Sequence, residues 1–183
     1  GQGGGGDDIY LDFEDGMPDN FLVSDDRMSV ANGNLVMDGD GLSTYASGYY
    51  DQMFGDFVFE FEITRTADAG TIGNTMGCLV RSDGFHGTGT QNGYAYSITQ
   101  SGSWWFAKYV NGALTDWTGW QTSSAINTGL GVSNVVSIEA SGPTLMYFIN
   151  GTLIHTVVDS DYTEGYCDVM AYDGGPGAEV NYD

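Results

Sequence analysis

Residues 57–64 alternate between apolar and polar side chains, and this pattern constrains the fold more than any other stretch of the chain. The apolar side of an extended segment here consists of Phe57, Phe59, Phe61 and Ile63. The opposite side carries two carboxylates, Glu60 and Glu62. Since successive side chains of a β-strand point to opposite sides, the segment predicts a strand with one buried and one solvated face.

Short apolar runs between clusters of Gly, Asn, Asp and Ser recur along the whole chain. The counts of 29 Gly, 12 Tyr, 9 Phe and 4 Trp favour strands and turns, and no window has the period and caps of a long amphipathic helix. Further strands are predicted at residues 9–13, 27–31, 34–38, 42–47, 77–82, 93–99, 103–110, 134–141, 144–150, 152–157, 167–173 and 178–182. In 183 residues this pattern predicts a single all-β domain, a two-sheet antiparallel β-sandwich or jelly roll.

Two Asn-Gly pairs, Asn111-Gly112 and Asn150-Gly151, each join two apolar runs. Asn-Gly supplies the positive φ angles of a type I′ turn, so both pairs predict β-hairpins. The second pair continues into Thr152 and also forms a glycosylation sequon, but the hairpin explains the same residues.

The charge is strongly acidic, with 25 Asp and Glu against 4 Lys and Arg and a formal net charge of -21. Nucleic acid and anionic membranes are poor partners for such a surface. Solubility alone, life at high salt, or a calcium-rich exterior each explain it. Because most of the acids are Asp, which favours turns and metal-binding loops, calcium is a candidate cofactor.

Residues 1–8, GQGGGGDD, predict a flexible Gly-rich tether ahead of a domain at residues 9–183. No apolar run is long enough to predict a membrane span, and we expect any signal peptide to have been removed already. The tether resembles the spacer after the lipidated cysteine of bacterial lipoproteins, although a linker or a tag remnant explains it as well. We therefore expect an extracytoplasmic protein, secreted or at the cell surface, with a lipid anchor upstream as one option.

The two cysteines, Cys78 and Cys167, lie in apolar strand contexts. Each is compatible with a buried free thiol, and a disulfide is the alternative if they face each other across the sandwich. Two cysteines are too few for a zinc-finger type of site.

Several motifs resemble the concanavalin A-like lectin and glucanase superfamily, including laminin G-like and keto-disaccharide hydrolase-like domains. The motifs are LDFEDG at 11–16, DFVFEFEIT at 56–64, GYAY at 93–96, NVVSIEA at 134–140, LMYFINGTLI at 145–154, Asp159 with Gly165, and EVNYD at 179–183. The resemblance implies a jelly roll, but the superfamily includes lectins, adhesion modules and hydrolases alike. The chain lacks the E-x-D-x-x-E signature of laminarinase-type glucanases, and Cys167-Asp168-Val169 stands where the tract has its second Gly.

Calcium ties the first strand to the last in many members of this superfamily. That resemblance makes Asp12, Glu14 and Asp183 candidate ligands. Residues 38–41 and 159–164 also begin like cation-binding loops, although neither has the EF-hand spacing. Solvated turn acids explain all of these residues without a metal.

A glycoside hydrolase needs two carboxylates on either side of the scissile bond. Glu60 and Glu62 are the candidates because they share one face of a strand, but a solvated face explains them equally simply. The two histidines, His86 and His155, are too isolated to predict a triad or a zinc site.

Sugar binding asks for less, since an aromatic ring that stacks on a sugar and a few hydrogen-bonding groups are enough. The candidate ligand-binding residues lie in turn-rich segments: Asp116, Trp117, Trp120, Gln121, Tyr50 and His86. A role for the two tryptophans at the edge of the core is the alternative. Overall the sequence favours a non-catalytic carbohydrate-binding or adhesion module with a glycan as partner, with a polysaccharide-cleaving hydrolase and a structural surface domain as alternatives.

Overall fold

The structure, a computed structural model, describes residues 9–39, 44–67, 75–84, 89–172 and 179–183. These residues form strands and turns without any helix, which confirms the all-β prediction, and they include no segment that could cross a membrane as a helix. The strands are β1 (Phe21–Val23), β2 (Met28–Ala31), β3 (Asn34–Asp38), β4 (Tyr45–Tyr50), β5 (Phe57–Ala67), β6 (Met76–Ser82), β7 (Gly93–Ile98), β8 (Ser103–Val110), β9 (Ala113–Asp116), β10 (Gln121–Thr122), β11 (Ser133–Ser141), β12 (Thr144–Ile149), β13 (Thr152–Val158), β14 (Tyr166–Tyr172) and β15 (Glu179–Tyr182).

The strands pair into two antiparallel sheets. Sheet A has the order β1-β4-β14-β6-β7-β8-β10, with β9 paired to β8 as well. Sheet B has the order β13-β12-β11-β5-β15-β3-β2. Each sheet combines hairpins of consecutive strands with pairs that are distant in sequence, such as β4-β14 and β5-β15. The two sheets pack face to face as the predicted sandwich.

The long strand β5 has the predicted register. Phe61 and Ile63 are buried in the core between the sheets, and Phe57 and Phe59 are partly buried against it. Glu60 and Glu62 lie on the opposite, exposed side, as the alternation predicted. Because β5 sits between β11 and β15 in the middle of sheet B, its apolar face has neighbours on both sides.

Both predicted hairpins form. Asn111 and Gly112 have φ angles of 49° and 75°, and Asn150 and Gly151 have 50° and 74°, as type I′ turns require. The Asn150 side chain also donates hydrogen bonds to the Ala125 carbonyl at 2.8 Å and to another side chain. The side-chain amide of this sequon asparagine therefore connects the hairpin turn to the loop at Ala125 and to β11.

The first predicted strand, residues 9–13, is not a strand in the structure. Phe13 packs edge-on against Phe21 with ring centroids 5.5 Å apart and is buried, so the segment joins the core through side chains instead of a backbone ladder. Residues 42–43, 173 and 178 of the other predictions lie outside the described residues. The short strands β1, β9 and β10 were not predicted, since runs of two to four residues carry too little periodicity.

The cysteines do not face each other across the sandwich, which was the premise of the disulfide alternative. Cys78 and Cys167 lie on neighbouring strands of sheet A, where Cys78 is opposite Val169 and Cys167 is opposite Val80. Both are buried free thiols, and burial raises the pKa of each. Their contribution is core packing.

Candidate functional site

Sheet A buries side chains on both of its faces. One face packs against sheet B, and the face turned away from sheet B is called here the outer face of sheet A. A second hydrophobic cluster, separate from the core between the sheets, lies on this outer face: Leu79, Ala95, Trp105, Ala107, Tyr109 and Met170. Sheet faces that do not join the main core are usually polar, so this surface is the first candidate for a functional site.

The strand register shows how the outer face is arranged. From β8 to β4, one row across the strands is Trp105, Ser97, Gly77, Met170 and Ser47, and the next is Ala107, Ala95, Leu79, Asp168 and Tyr49. Small side chains occupy most of the middle, and aromatic rings stand towards the two ends. The aromatic groups are therefore concentrated at opposite sides of one face.

Trp120 is the exposed aromatic of this face. Its ring stacks on Trp105 with centroids 6.0 Å apart and an interplanar angle of 25°, and half of its surface (50%) remains exposed. The buried Trp105 thus fixes one side of the Trp120 indole and leaves the other side open. A ring held this way can stack on the apolar side of a sugar.

Trp117, the other candidate tryptophan, does not lie beside Trp120 on the outer face of sheet A. Its ring packs edge-on against Phe106, 5.3 Å away, and Phe106 belongs to the core between the sheets. The two tryptophans therefore lie on opposite sides of sheet A. The turn between β9 and β10 runs along the edge of β8, with which both strands pair, and its two indoles pack on different faces of that edge.

Asp116 and Gln121 hold this turn. One carboxylate oxygen of Asp116 accepts hydrogen bonds from the backbone N–H groups of Thr118 and Gly119, at 3.1 and 2.7 Å. The Gln121 side chain donates to the Thr118 carbonyl at 2.8 Å. Both predicted residues are near Trp120, and their observed role is to shape the turn that presents it.

The other predicted ligand-binding residues are not part of this cluster. Tyr50 lies on β4, near the opposite edge of sheet A, and its ring packs against the inter-sheet core. His86 lies outside the described residues. His155 packs against Trp104 and Phe106 at 5.5 and 5.2 Å, and burial lowers its pKa.

Asp168 is a buried acid on β14 that the sequence analysis did not select as a site residue. It lies on the outer face, fully buried, and one carboxyl oxygen accepts a hydrogen bond from the Ser82 hydroxyl at 2.7 Å. Its Oδ2 has no hydrogen-bond partner among the described residues. Burial raises the pKa of Asp168 well above its usual range, the Ser82 bond opposes this shift, and the charge of Asp83 adds to it. The sequence signal was an acid inside an apolar strand.

The predicted hydrolase pair lies elsewhere. Glu60 and Glu62 are exposed on the face of sheet B that points away from sheet A, opposite Ser137 and Val135 of β11. A cleft of about 730 Å³ opens between the sheets near this strand, lined mainly by aromatic and aliphatic side chains. Glu60 lines this cleft and Glu62 does not.

The predicted calcium ligands make other contacts. One Asp12 oxygen accepts a hydrogen bond from the Glu14 backbone N–H at 2.8 Å, and the Asp183 backbone pairs with the backbone of Glu62. Within the described part of the chain, no three His, Cys, Asp or Glu side chains form a group that could hold a metal. Calcium binding stays a prediction.

Two acids of the 159–164 loop, Asp159 and Asp161, are paired with a lysine. The Lys108 Nζ lies 2.9 and 3.0 Å from the two Asp159 oxygens and also donates to Asp161. Rings of Tyr94, Trp117 and Tyr162 surround this ammonium at 5.3 to 5.6 Å from their centroids. Burial alone would lower the pKa of Lys108, but the bonds to Asp161 and Asp159 outweigh it and raise the pKa. This network fixes the loop on β8.

The strand order and the two packed sheets define the class of the protein: it is a concanavalin A-like jelly-roll domain, as the sequence motifs implied. The chain belongs to the family described as 3-keto-alpha-glucoside-1,2-lyase-like domain, whose model matches residues 10–176. No curated protein matches the chain.

Solved structures share this fold at low sequence identity. The carbohydrate binding module CBM66 from Bacillus subtilis is 19% identical, with a TM-score of 0.70 over 90% of this chain and 92% of that one. The β-glucanase of Bacillus licheniformis is 12% identical, with a TM-score of 0.63 over 88% of each chain. The legume lectin-like domain from Entamoeba histolytica is 13% identical, with a TM-score of 0.61 over 89% and 86%. At these identities the likeness shows the fold alone.

Proposed function

We propose that this domain binds a neutral glycan without cleaving it, and that the sugar stacks on Trp120. The observation that carries the proposal is the half-exposed Trp120 indole, held in place by its stacking on Trp105. A ring that is already fixed loses little conformational entropy when a ligand binds. Stacking with a few hydrogen bonds gives weak, reversible affinity, which suits a module.

The relatives are compatible with this proposal. CBM66 is named a carbohydrate binding module, and the other two structures are named a β-glucanase and a lectin-like domain. All three names refer to carbohydrates, and two of the three refer to binding modules or lectins. These names support a carbohydrate-related function and leave the choice between binding and cleavage to experiment.

The charge supports a neutral ligand. With a formal net charge of -21, the surface repels uronic acids and sulfated sugars at a distance. A neutral sugar avoids this repulsion, and its recognition depends little on salt.

A glycan array with the wild type, Trp120→Ala and Trp117→Ala tests the proposal. Trp117 is the matched control because it is the same residue type, is exposed to a comparable 39%, and lies on the other side of sheet A. We expect Trp120→Ala to weaken binding about tenfold and Trp117→Ala to leave it nearly unchanged. Equal loss in both variants, or no array signal for the wild type, would contradict the proposal.

Cleavage of a glycan is the second candidate function, favoured by the enzyme name of the family and by the buried carboxyl of Asp168. Glu60 and Glu62 are the other candidate pair of catalytic carboxylates. Incubation with neutral polysaccharides separates the functions, since a binding module releases no reducing sugar. Release that disappears in Glu60→Gln, Glu62→Gln or Asp168→Leu would establish the enzyme.

An extracytoplasmic location and a structural calcium ion complete the proposal. The location rests on the Gly-rich tether predicted at residues 1–8, and the calcium ion rests on the acidic composition and on the superfamily resemblance of Asp12, Glu14 and Asp183. Calcium bound only by the folded state raises the melting temperature. We expect excess chelator to lower the melting temperature and added calcium to restore it; an unchanged value would argue against the ion. Fractionation of cells that express the full-length protein tests the location.

A further inference from the structure

The carboxyl of Asp168 is buried but only half satisfied. It is fully buried on the outer face of sheet A, its Oδ1 accepts the Ser82 hydroxyl at 2.7 Å, and its Oδ2 has no partner among the described residues. A buried polar atom without a hydrogen bond costs stability, and a leucine in this position would avoid that cost. Such unsatisfied groups in a folded protein call for an explanation, and they are common where function and stability conflict.

Two aromatic rings lie beside Asp168 on the outer face of sheet A. Tyr49 lies directly opposite Asp168 on β4, and Tyr166 lies two residues earlier on the same face. Their rings contact each other with centroids 4.5 Å apart. Tyr49 is buried, whereas Tyr166 is only partly buried and forms the solvent side of the pair.

An exposed polar edge lies next to this pair. Asp83 is exposed, and its two oxygens accept hydrogen bonds from the backbone N–H and the side chain of Asn92, at 2.8 and 2.7 Å. Asp83 follows Ser82, the residue that binds the Asp168 carboxyl. Aromatic rings with a few fixed polar groups are the composition of a sugar-binding site.

This polar site and Trp120 lie on the same face at a distance suited to an oligosaccharide. The strand of Asp168, β14, is separated from β8, which carries Trp105, by three strand spacings. At about 4.8 Å for each spacing, Asp168 and Trp105 are about 14 Å apart, and the Trp120 ring stacks a further 6.0 Å from that of Trp105. A single sugar ring cannot contact both, but a chain of several sugars can.

We propose that the Asp168 carboxyl donates a hydrogen bond from Oδ2 to a hydroxyl of a neutral oligosaccharide whose other end stacks on Trp120. The inference rests on the proposed glycan binding and adds to it a second contact and a chain length. Because Asp168 is fully buried in the free protein, its Oδ2 becomes accessible to the ligand only when a neighbouring side chain moves. The hydrogen bond that is missing in the free protein is then formed in the complex.

Two substitutions of Asp168 separate this role from a structural one. Asp168→Leu replaces the donor with an apolar side chain of similar size, so we expect at least tenfold weaker binding and a melting temperature at or above that of the wild type. Asp168→Asn keeps a donor at the same place, and we expect its affinity to stay within about threefold of the wild type. A purely structural Asp168 would show no loss of affinity in a stable Asp168→Leu variant.

The experiment is calorimetric titration of the wild type, both Asp168 variants and Trp120→Ala. The ligands are laminarihexaose, cellohexaose, maltohexaose, xylohexaose and a levan-type hexasaccharide, with the matching disaccharides. We expect at least one hexasaccharide to bind and its disaccharide to bind at least tenfold more weakly. Equal affinity of a disaccharide, an unchanged affinity of Asp168→Leu, or a loss in Asp168→Asn equal to that in Asp168→Leu would overturn the inference.

The two proposals fail in different ways. If Trp120→Ala loses binding while Asp168→Leu binds like the wild type, glycan binding stands and the role of Asp168 falls. If no hexasaccharide binds but the glycan array is positive for another ligand, the inference falls alone. If neither the array nor the titration detects binding to the wild type, both fall.

Discussion

The two sheets of the sandwich contribute similar apolar faces to the core and differ in the faces that point away from it. The outer face of sheet B is solvated: Val58 is 69% exposed and its neighbours Glu60 and Glu62 are exposed as well. On sheet A the corresponding face carries buried Trp105 and a fully buried carboxyl, Asp168. The first arrangement is what solubility requires, while the second has a cost in stability. Specialised chemistry is therefore to be sought on sheet A.

The largest expected effect comes from removing the aromatic support of sheet A. Trp105→Ala should lower the free energy of unfolding by about 3–5 kcal/mol, because it leaves a cavity and removes the ring on which Trp120 stacks. The control is Val58→Ala on the outer face of sheet B, with an expected change within about 0.5 kcal/mol. Urea unfolding measures both. Similar costs for the two variants would mean that the faces do not differ as described.

A smaller loss is expected on the other side of sheet A, where Lys108 pairs with Asp159 and Asp161. Lys108→Met should cost about 3 kcal/mol, because the Asp159 side chain, only 18% exposed, keeps its charge without a cationic partner. Asp161→Asn is the control, since its side chain is 67% exposed and an exposed ion pair contributes less than about 1 kcal/mol. Thermal and urea unfolding test the ranking. If Asp161→Asn cost as much as Lys108→Met, burial would not decide the effect.

The fold was predictable because its signals are local and repeated. The alternation in β5 and the two Asn-Gly hairpins specify strand faces and register without any tertiary information. The 9–13 segment was assigned wrongly because its apolar residues reach the core without a strand partner. Periodicity reports burial, and it does not report which backbone pairs with which.

The candidate site was predictable only in part. Trp120 was selected because it lies in a polar turn, but the same reasoning selected Trp117. A turn has no regular side-chain alternation, so the sequence does not show on which side of the sheet each tryptophan packs. Asp168 was missed because β14 is buried on both faces, so its sequence shows no alternation. Only the register, which places Asp168 opposite Leu79 and Tyr49, shows that it faces away from the core.

The pH dependence of stability sharpens the contrast further. Burial raises the pKa of Asp168 well above its ordinary value of 3.8, so the folded protein keeps a proton that the unfolded chain has released. Relative to Asp168→Asn, the free energy of unfolding of the wild type is therefore highest below about pH 4. It falls by up to about 1.4 kcal/mol for each pH unit until the pH passes the raised pKa of Asp168. We expect Asp168→Asn to be the more stable protein at neutral pH. Unfolding of both proteins from pH 4 to 8 measures the difference, since all other carboxyls titrate in both.

The smallest effects are expected on sheet B. Glu60→Gln and Glu62→Gln each remove one negative charge from an exposed strand face. The two carboxylates on this face repel each other, and the whole chain has a net charge of -21. Neither should change the free energy of unfolding by more than about 0.5 kcal/mol, and neither should alter glycan affinity, since Glu60 and Glu62 lie on the opposite side of the sandwich from Trp120. Titration with the hexasaccharide panel and urea unfolding test both statements. A large loss of affinity in either variant, with stability unchanged, would move the binding site to sheet B and favour the cleft that Glu60 lines.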